Sequence, residues 1–305
     1  MTRGLVASLA IEMAILGVLL TIAADQIAHT HVEKLGGVNI WGYRGPVLHQ
    51  KKENEVRIAV TGGDLAFGWG VAASEALAPS VRQLVSLRVD VPGRPNRIVT
   101  SVTIGARGLA PALYASWIHR YSYLRPDVIC LVADPIGHTV GGAEATYLPD
   151  RRSMVFKTFG YSPILPLVLQ ERGTIAHSAL LRLAGDALDA VDSAVGDRVD
   201  RDVVAEADYT SSIGAAVRAG LRSSTAGVVV VLAPFNDNSD LKRRLAPAVA
   251  GERVRLVDLR DDPRLLDPRL RLDGFSFSVG GHAVAAESVA GAALELIERA
   301  GLGAQ

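Results

Sequence analysis

The chain has 305 residues, 49% of them hydrophobic and 21% charged, which suits one large globular domain or two small ones. Its 32 basic residues (Lys and Arg) balance 32 acidic ones, and this neutrality argues against a nucleic-acid partner, which usually needs a basic surface. The single cysteine, Cys130, excludes an intramolecular disulfide, and no Cys/His spacing indicates zinc. We therefore expect neither a metal nor another cofactor.

The N-terminal segment is apolar over residues 5–24, LVASLAIEMAILGVLLTIAA. A helix of this length reaches about 30 Å, enough to cross the hydrocarbon core of a bilayer. Because Arg3 and the amino terminus precede it, residues 1–4 are predicted to stay in the cytoplasm. The rest of the chain would then lie outside a bacterial cytoplasmic membrane. A cleaved signal peptide is the alternative, although the apolar run is longer than the usual signal core.

Glu12 interrupts the apolar segment, and a carboxylate is costly in lipid. Either it faces a helix of a membrane-protein partner, or it is protonated or reaches the interface. Residues 25–54 follow as a predicted juxtamembrane linker that then packs on the domain. Residues 55–305 are predicted to form that domain, with an insertion at about 139–225.

Beyond residue 54, short apolar runs rich in β-branched residues alternate with helical patterns. This alternation predicts a parallel sheet covered on both faces. We therefore predict an α/β fold, a three-layer doubly wound sheet of about five strands, preceded by one transmembrane helix. The predicted strands are 56–60, 97–104, 128–132, 227–232 and 254–259. The predicted helices are 80–89, 110–121, 176–194, 204–221, 241–249 and 282–300.

Ligands of open α/β sheets bind at the carboxyl ends of the strands. After the first strand stands 61–71, TGGDLAFGWGV, which resembles the first block of the SGNH/GDSL hydrolase family. The upstream segment 41–46, WGYRGP, resembles the lead-in of membrane-anchored bacterial members. Residues 104–108, IGARG, are similar to the second block, and 123–128, YLRPDV, to the lead into the next strand. The resemblance covers about residues 41–300 and implies the family's flavodoxin-like fold.

Most catalytic positions of the family carry other residues here. The nucleophilic serine falls on Asp64, and the oxyanion-hole asparagine falls on or near Ile136. The catalytic aspartate and histidine of the last block fall on Asp273 and Ser276. The oxyanion-hole glycine is kept as Gly105, and the aspartate is kept as well.

The ordinary ester cleavage is expected to be absent. A carboxylate about 4 Å from the developing oxyanion costs about 4 kcal/mol at an effective dielectric constant of about 20. A missing asparagine donor costs roughly another 2.7–4 kcal/mol. Loss of nucleophile and base together costs about 10⁶-fold in rate. The chain also has no G-x-S-x-G nucleophile elbow. We therefore expect a pseudoenzyme of the family rather than an enzyme.

Asp64 has two interpretations. It starts the helix after the first strand, where the helix dipole and free N–H groups stabilise a carboxylate. Alternatively, it converges with Asp134, His138 and Asp273 in a rebuilt polar site able to hold a divalent cation.

Two further residues have open roles. Arg107, beside the retained glycine, either binds an anion in the old pocket or is solvated or salt-bridged. His282 either packs at the start of the last helix or belongs to the rebuilt site.

Two functions follow. The first is a non-catalytic scaffold, binding or accessory subunit of an envelope membrane complex, joined to a membrane protein through the apolar helix and Glu12. Relatives with intact residues are often linked to acyl transfer onto cell-surface glycans. The alternative is an esterase or O-acetyl transferase that acts on acylated envelope glycans through a rebuilt site.

Overall fold

A computed structural model describes most of the chain in two compact units. The first unit comprises residues 1–42 and 146–198, and the second comprises 43–145 and 199–305. Elements are numbered through the described residues alone. The predicted helix at 176–194 lies outside them. The described residues are 3–36, 38–39, 41–89, 97–106, 109–133, 206–234, 240–272 and 276–302.

The first unit begins with one long helix, α1, Arg3–Gly36. Its stretch Ser8–Ile27 is long and apolar enough to span a membrane by length and composition, which confirms the predicted apolar N-terminal helix. The helix continues beyond the predicted span into the predicted linker. It does so because residues 25–35 contain neither proline nor glycine, and it ends at the pair Gly36-Gly37.

The second unit is built on a five-stranded sheet in which every pairing is parallel. The strand order is β2-β1-β3-β4-β5. The predicted α/β domain with about five parallel strands is therefore confirmed. The strands are β1 Glu55–Thr61, β2 Ile98–Thr103, β3 Val128–Ala133, β4 Gly227–Leu232 and β5 Val254–Asp258.

Helices pack against both faces of this sheet. They are α2 Asp64–Phe67, α3 Leu77–Val89, α4 Pro111–Arg120, α5 Glu206–Ser223, α6 Leu241–Val249 and α7 Val279–Arg299. On one face, Val56, Ile58 and Val60 alternate along β1 and join one apolar cluster with residues of α3 and α7. On the other face, Gly220 of α5 lies against Ile129 and Val228, so α5 packs close to β3 and β4.

The central strands are buried along their whole length. All residues of Val128–Ala133 and Gly227–Leu232 are buried. Continuous burial explains why these strands read as unbroken apolar runs rather than as alternating patterns. It also explains the lone cysteine, Cys130, which lies in β3 and whose thiol pKa is raised to about 12 by burial.

A buried ion pair lies at the amino end of β1. Arg57 Nε donates to Glu55 Oε1 at 2.7 Å, and the same guanidinium reaches Leu124 O at 2.9 Å and His49 O at 2.6 Å. Burial alone would raise the pKa of Glu55. Hydrogen bonds from Arg57, the Lys52 N–H and the Thr100 hydroxyl outweigh it and hold that pKa below its ordinary value.

Asp127 links the amino ends of three strands. It is 1% exposed, and its carboxylate accepts hydrogen bonds from Lys51 Nζ at 2.6 Å, from Arg57 N at 2.8 Å and from the Thr225 hydroxyl. Its carbonyl accepts from Ala226 N at 2.8 Å. The aspartate that precedes β3 therefore fixes where β1, β3 and β4 begin.

Replacing Arg57 tests the buried pair. Arg57→Met leaves Glu55 charged and buried, so we expect a loss of about 3–5 kcal/mol in the free energy of unfolding. The exposed control Arg82→Met should change it by less than about 0.5 kcal/mol. The double variant Glu55→Gln/Arg57→Met should recover part of the loss. Urea unfolding of the full chain in detergent micelles measures all three, and equal stability of Arg57→Met and Arg82→Met would contradict the assignment.

Candidate functional site

The carboxyl ends of β1 and β2 meet through two glycines. Ile104 N donates to Val60 O at 2.8 Å and Ala106 N to Gly62 O at 3.2 Å, so the strands stay paired beyond β2. A Cβ on Gly105 would lie 2.5 Å from Gly62 O, closer than any side chain tolerates. Gly62 itself has φ 149° and leaves no room for a Cβ beside the Val132 carbonyl. The absence of side chains at both positions lets the two loops touch.

Gly105 presents a backbone donor at this edge. The N–H groups of Ile104 and Ala106 on either side of it donate to the carbonyls of Val60 and Gly62, whereas the Gly105 N–H donates to no other group of the described chain. This glycine, which the resemblance predicts to be an oxyanion donor, therefore has a backbone N–H available for a ligand. Its role stays a prediction.

Asp64 begins the one-turn helix α2 directly after Gly63. It is partly buried, and its carbonyl accepts from Gly68 N at 3.0 Å and from Trp69 N at 3.1 Å. The residue therefore stands at a helix start, as the sequence predicts. A single turn has a small dipole, so the dipole contributes little to stabilising the carboxylate.

Arg44 organises the loop that follows Asp64. Its guanidinium is buried and donates to the carbonyls of Phe67, Gly68 (2.8 Å) and Val71 (2.7 Å). It also lies 4.7 Å from the centroid of the Phe67 ring, a cation–π distance. Burial lowers the pKa of Arg44 from its ordinary value. A charged group this enclosed is retained because three carbonyl oxygens and a ring face replace its hydration.

The backbone of Arg44 is held as firmly as its side chain. Arg44 N donates to Thr103 O at 2.9 Å, and Thr103 N donates back to Arg44 O at 2.8 Å. These two hydrogen bonds form an isolated antiparallel bridge between Arg44 and the last residue of β2. Sequence reasoning missed the role of Arg44, because its only signal was membership of the segment 41–46 that resembles the family's lead-in.

A segment before α7 reaches the same edge. A Cβ on Gly70 would lie 2.6 Å from Leu272 Cδ1, so the loop after Asp64 touches the residue just before Asp273. Ser276 is 5% exposed, and its carbonyl accepts from Leu272 N at 2.9 Å. The loops after β1 and β2 and the residue Leu272 therefore converge at this edge.

His282 lies in the first turns of α7 and is 1% exposed. Its ring meets Phe277 edge-on, with centroids 5.6 Å apart, and neither ring nitrogen has a hydrogen-bond partner among the described residues. Burial, with a smaller contribution from the charge of Arg44, lowers the pKa of His282 to about 4. The ring is therefore neutral at pH 7 and packs as part of the interior.

The remaining candidates lie outside the described residues, so their convergence stays a prediction. Within the described ranges, no group of three or more His, Cys, Asp and Glu side chains is placed to hold a metal ion. The candidates outside those ranges are Arg107, Asp134, Ile136, His138 and Asp273.

Comparison of the chain with protein-family models, with curated proteins and with solved structures gives no match.

The contact between Gly62 and Gly105 predicts a large difference between two glycine-to-alanine variants. Gly105→Ala forces the two loops apart, and we expect a loss of about 1–3 kcal/mol in stability. Gly291→Ala, in α7 with open space around it, should gain about 0.5–1 kcal/mol. Urea unfolding of both variants checks this, and a Gly105→Ala variant as stable as Gly291→Ala would contradict the contact.

The buried His282 predicts a pH dependence of stability. Its pKa is about 4 in the folded chain and about 6.5 in the unfolded chain, so the unfolded chain binds the extra proton between these values. The stabilisation by neutral His282 is complete above about pH 6.5. It falls by roughly 3 kcal/mol as the pH drops to about 4.

The measurement compares unfolding free energies of the full chain at several pH values. In His282→Leu, and in His282→Phe, which keeps an aromatic ring beside Phe277, stability should fall less between about pH 6.5 and 4 than in the parent chain. Both variants remove the titrating group, but only His282→Phe keeps the aromatic packing. The pH dependence that both lose therefore reports titration. If the unfolding free energy fell equally with pH in the parent chain and in both variants, this histidine would not titrate as described.

Proposed function

We propose that this chain is a membrane-anchored, non-catalytic SGNH-like protein that serves as a scaffold, binding or accessory subunit of an envelope membrane complex. One observation carries the proposal. The loops corresponding to three family blocks meet at the carboxyl edge of the sheet, and the position of the nucleophile holds the carboxylate of Asp64.

The strand order supports the SGNH-like part of the proposal. The order 2-1-3-4-5 is that of flavodoxin-like doubly wound sheets, whose ligand crevice opens between β1 and β3. Asp64 follows β1, and Gly105 lies against the same loop. We propose that this edge is the former active-site crevice of the family, kept as a frame for binding.

The chemistry of the described side chains supports loss of catalysis. The negative Asp64 occupies the edge where an oxyanion would form, and Ser276 in place of histidine offers no base near neutral pH. His282 does not replace that histidine, because it is buried against Phe277 and bonds to no hydroxyl among the described residues. Neither an activated nucleophile nor a paired base is available from these groups.

The membrane partner is proposed from α1. Glu12 accepts a hydrogen bond from the Ser8 hydroxyl at 3.2 Å, which offsets part of the cost of a carboxylate in lipid. We propose that this polar pair faces a helix of a membrane-protein partner. Arg3 before the apolar stretch supports a cytoplasmic N-terminus and a second unit outside the cytoplasmic membrane.

Hydrolysis of p-nitrophenyl acetate by the full chain in detergent tests the proposal. We expect no turnover above buffer from the parent chain, from Asp64→Ala or from the isosteric Asp64→Asn, with or without divalent metal ions. Turnover that disappears in both variants would overturn the non-catalytic proposal and favour an esterase with a rebuilt site around Asp64.

The same proposal is tested on the membrane side by photo-crosslinking in native membranes. A photoreactive residue at Glu12 should yield a discrete adduct with another membrane protein. The control position is Thr21, which lies nine residues further along α1 and therefore on the opposite face of the helix. Equal adducts from both positions, or none from either, would remove the support for a partner at Glu12.

A further inference from the structure

A cleft opens at the amino edge of the sheet, at the end opposite Asp64. It lies where α4 and α5 end and where β3 and β4 begin. Its volume is about 810 Å³, within the range of ligand sites. Its lining includes the basic residues Lys51, His119, Arg125 and Arg222.

The charge of the lining is one-sided. No aspartate or glutamate contributes to it. Lys51 is neutralised by Asp127 beneath the cleft, at 2.6 Å. The side chains of Arg125 and Arg222 make neither a salt bridge nor a hydrogen bond within the described ranges. Arg125 and Arg222 therefore both line one cleft, and no carboxylate among the described residues pairs with either of them.

Cations often lie near a helix C-terminus because they donate to its unpaired carbonyl groups, and at the end of α5 Arg253 already does so. Arg253 donates to Leu221 O at 3.3 Å, Ser224 O at 2.6 Å and Thr225 O at 3.1 Å. At the end of α4, the Ser122 hydroxyl donates to His119 O at 2.8 Å. Because these carbonyls have donors, Arg125 and Arg222 are not needed to cap the helices.

The backbone of Arg125 gives a second, independent observation. Its φ is 52° and its ψ is 55°, and no other non-glycine residue in the described part of the chain has a positive φ. Glycine or asparagine adopts this left-handed conformation at lower cost than arginine. Arg125 caps the short 3-10 helix Ser122–Leu124, so a long cationic side chain stands at a position that glycine or asparagine would fill at lower cost.

We propose that this cleft is a binding site for a phosphate group, with Arg125 and Arg222 as its main contacts. Guanidinium groups bind phosphate through paired, charge-assisted hydrogen bonds, and two of them fit a tetrahedral dianion. The phosphate belongs either to the headgroup of an anionic phospholipid or to a free phosphate compound. The inference holds whether or not the opposite edge of the sheet is catalytic.

The test uses the full chain in micelles of a neutral detergent. Inorganic phosphate replaces chloride stepwise at constant ionic strength, and the midpoint temperature of thermal unfolding is measured at each step. A ligand that binds only the folded chain raises this midpoint in a saturable manner, which gives Kd. We expect saturable stabilisation by phosphate that chloride does not reproduce.

Matched variants assign the effect to the cleft. Arg125→Asn/Arg222→Gln should weaken phosphate binding roughly tenfold or more, since it removes both charge-assisted contacts. Asparagine accepts the left-handed backbone, so the double variant should stay folded. Arg82→Gln, on α3 outside the cleft, should bind phosphate like the parent chain.

The source of the phosphate is resolved by two further ligands, sn-glycerol 3-phosphate and phosphatidylglycerol in mixed micelles, with phosphatidylcholine as the neutral comparison. Tighter binding of the glycerol-linked phosphates than of inorganic phosphate supports a lipid headgroup. Equal binding of all three supports recognition of the phosphate alone. Absence of saturable stabilisation by any of them, or equal affinity of the double variant and the parent chain, overturns the proposal.

Discussion

The arrangement of the candidate site depends on the direct contact between Gly62 and Gly105. With no side chain on either residue, the loop after β1 comes within contact of the loop after β2. The loop after Asp64 then needs anchors, and Arg44 supplies three hydrogen bonds to its carbonyls. Leu272, about 200 residues further along the chain, packs against Gly70 in the same loop. The edge is thus maintained by close packing of glycines and by hydrogen bonds from Arg44 to backbone carbonyls.

Arg44 and the glycines hold the loop after Asp64 through backbone carbonyls and close packing. Under the proposed scaffold or binding role, such a frame would present the polar groups that the loop carries. In the same proposal, the apolar helix α1 would anchor the chain near a membrane partner.

The two ends of the sheet differ in their polar groups. At the amino end, Arg57 pairs with Glu55 and Lys51 pairs with Asp127, so these four charges cancel. The same carboxylates help to fix where the strands start. Beside them, Arg125 and Arg222 line a cleft, and neither has a charge partner within the described ranges. A neutral sequence thus hides a local excess of positive charge, because net charge counts residues and not their positions.

The sequence alone determined the elements. Apolar runs such as Gly227–Leu232 specify buried parallel strands, helical spacing specifies α3 to α7, and the first apolar stretch specifies α1; all are local patterns set by backbone geometry and burial. Only the tertiary structure decided which residues meet. Arg44 and Phe67 are 23 positions apart, and Arg125 and Arg222 lie in separate elements. No periodicity encodes such contacts, because they arise when strand order brings distant segments together.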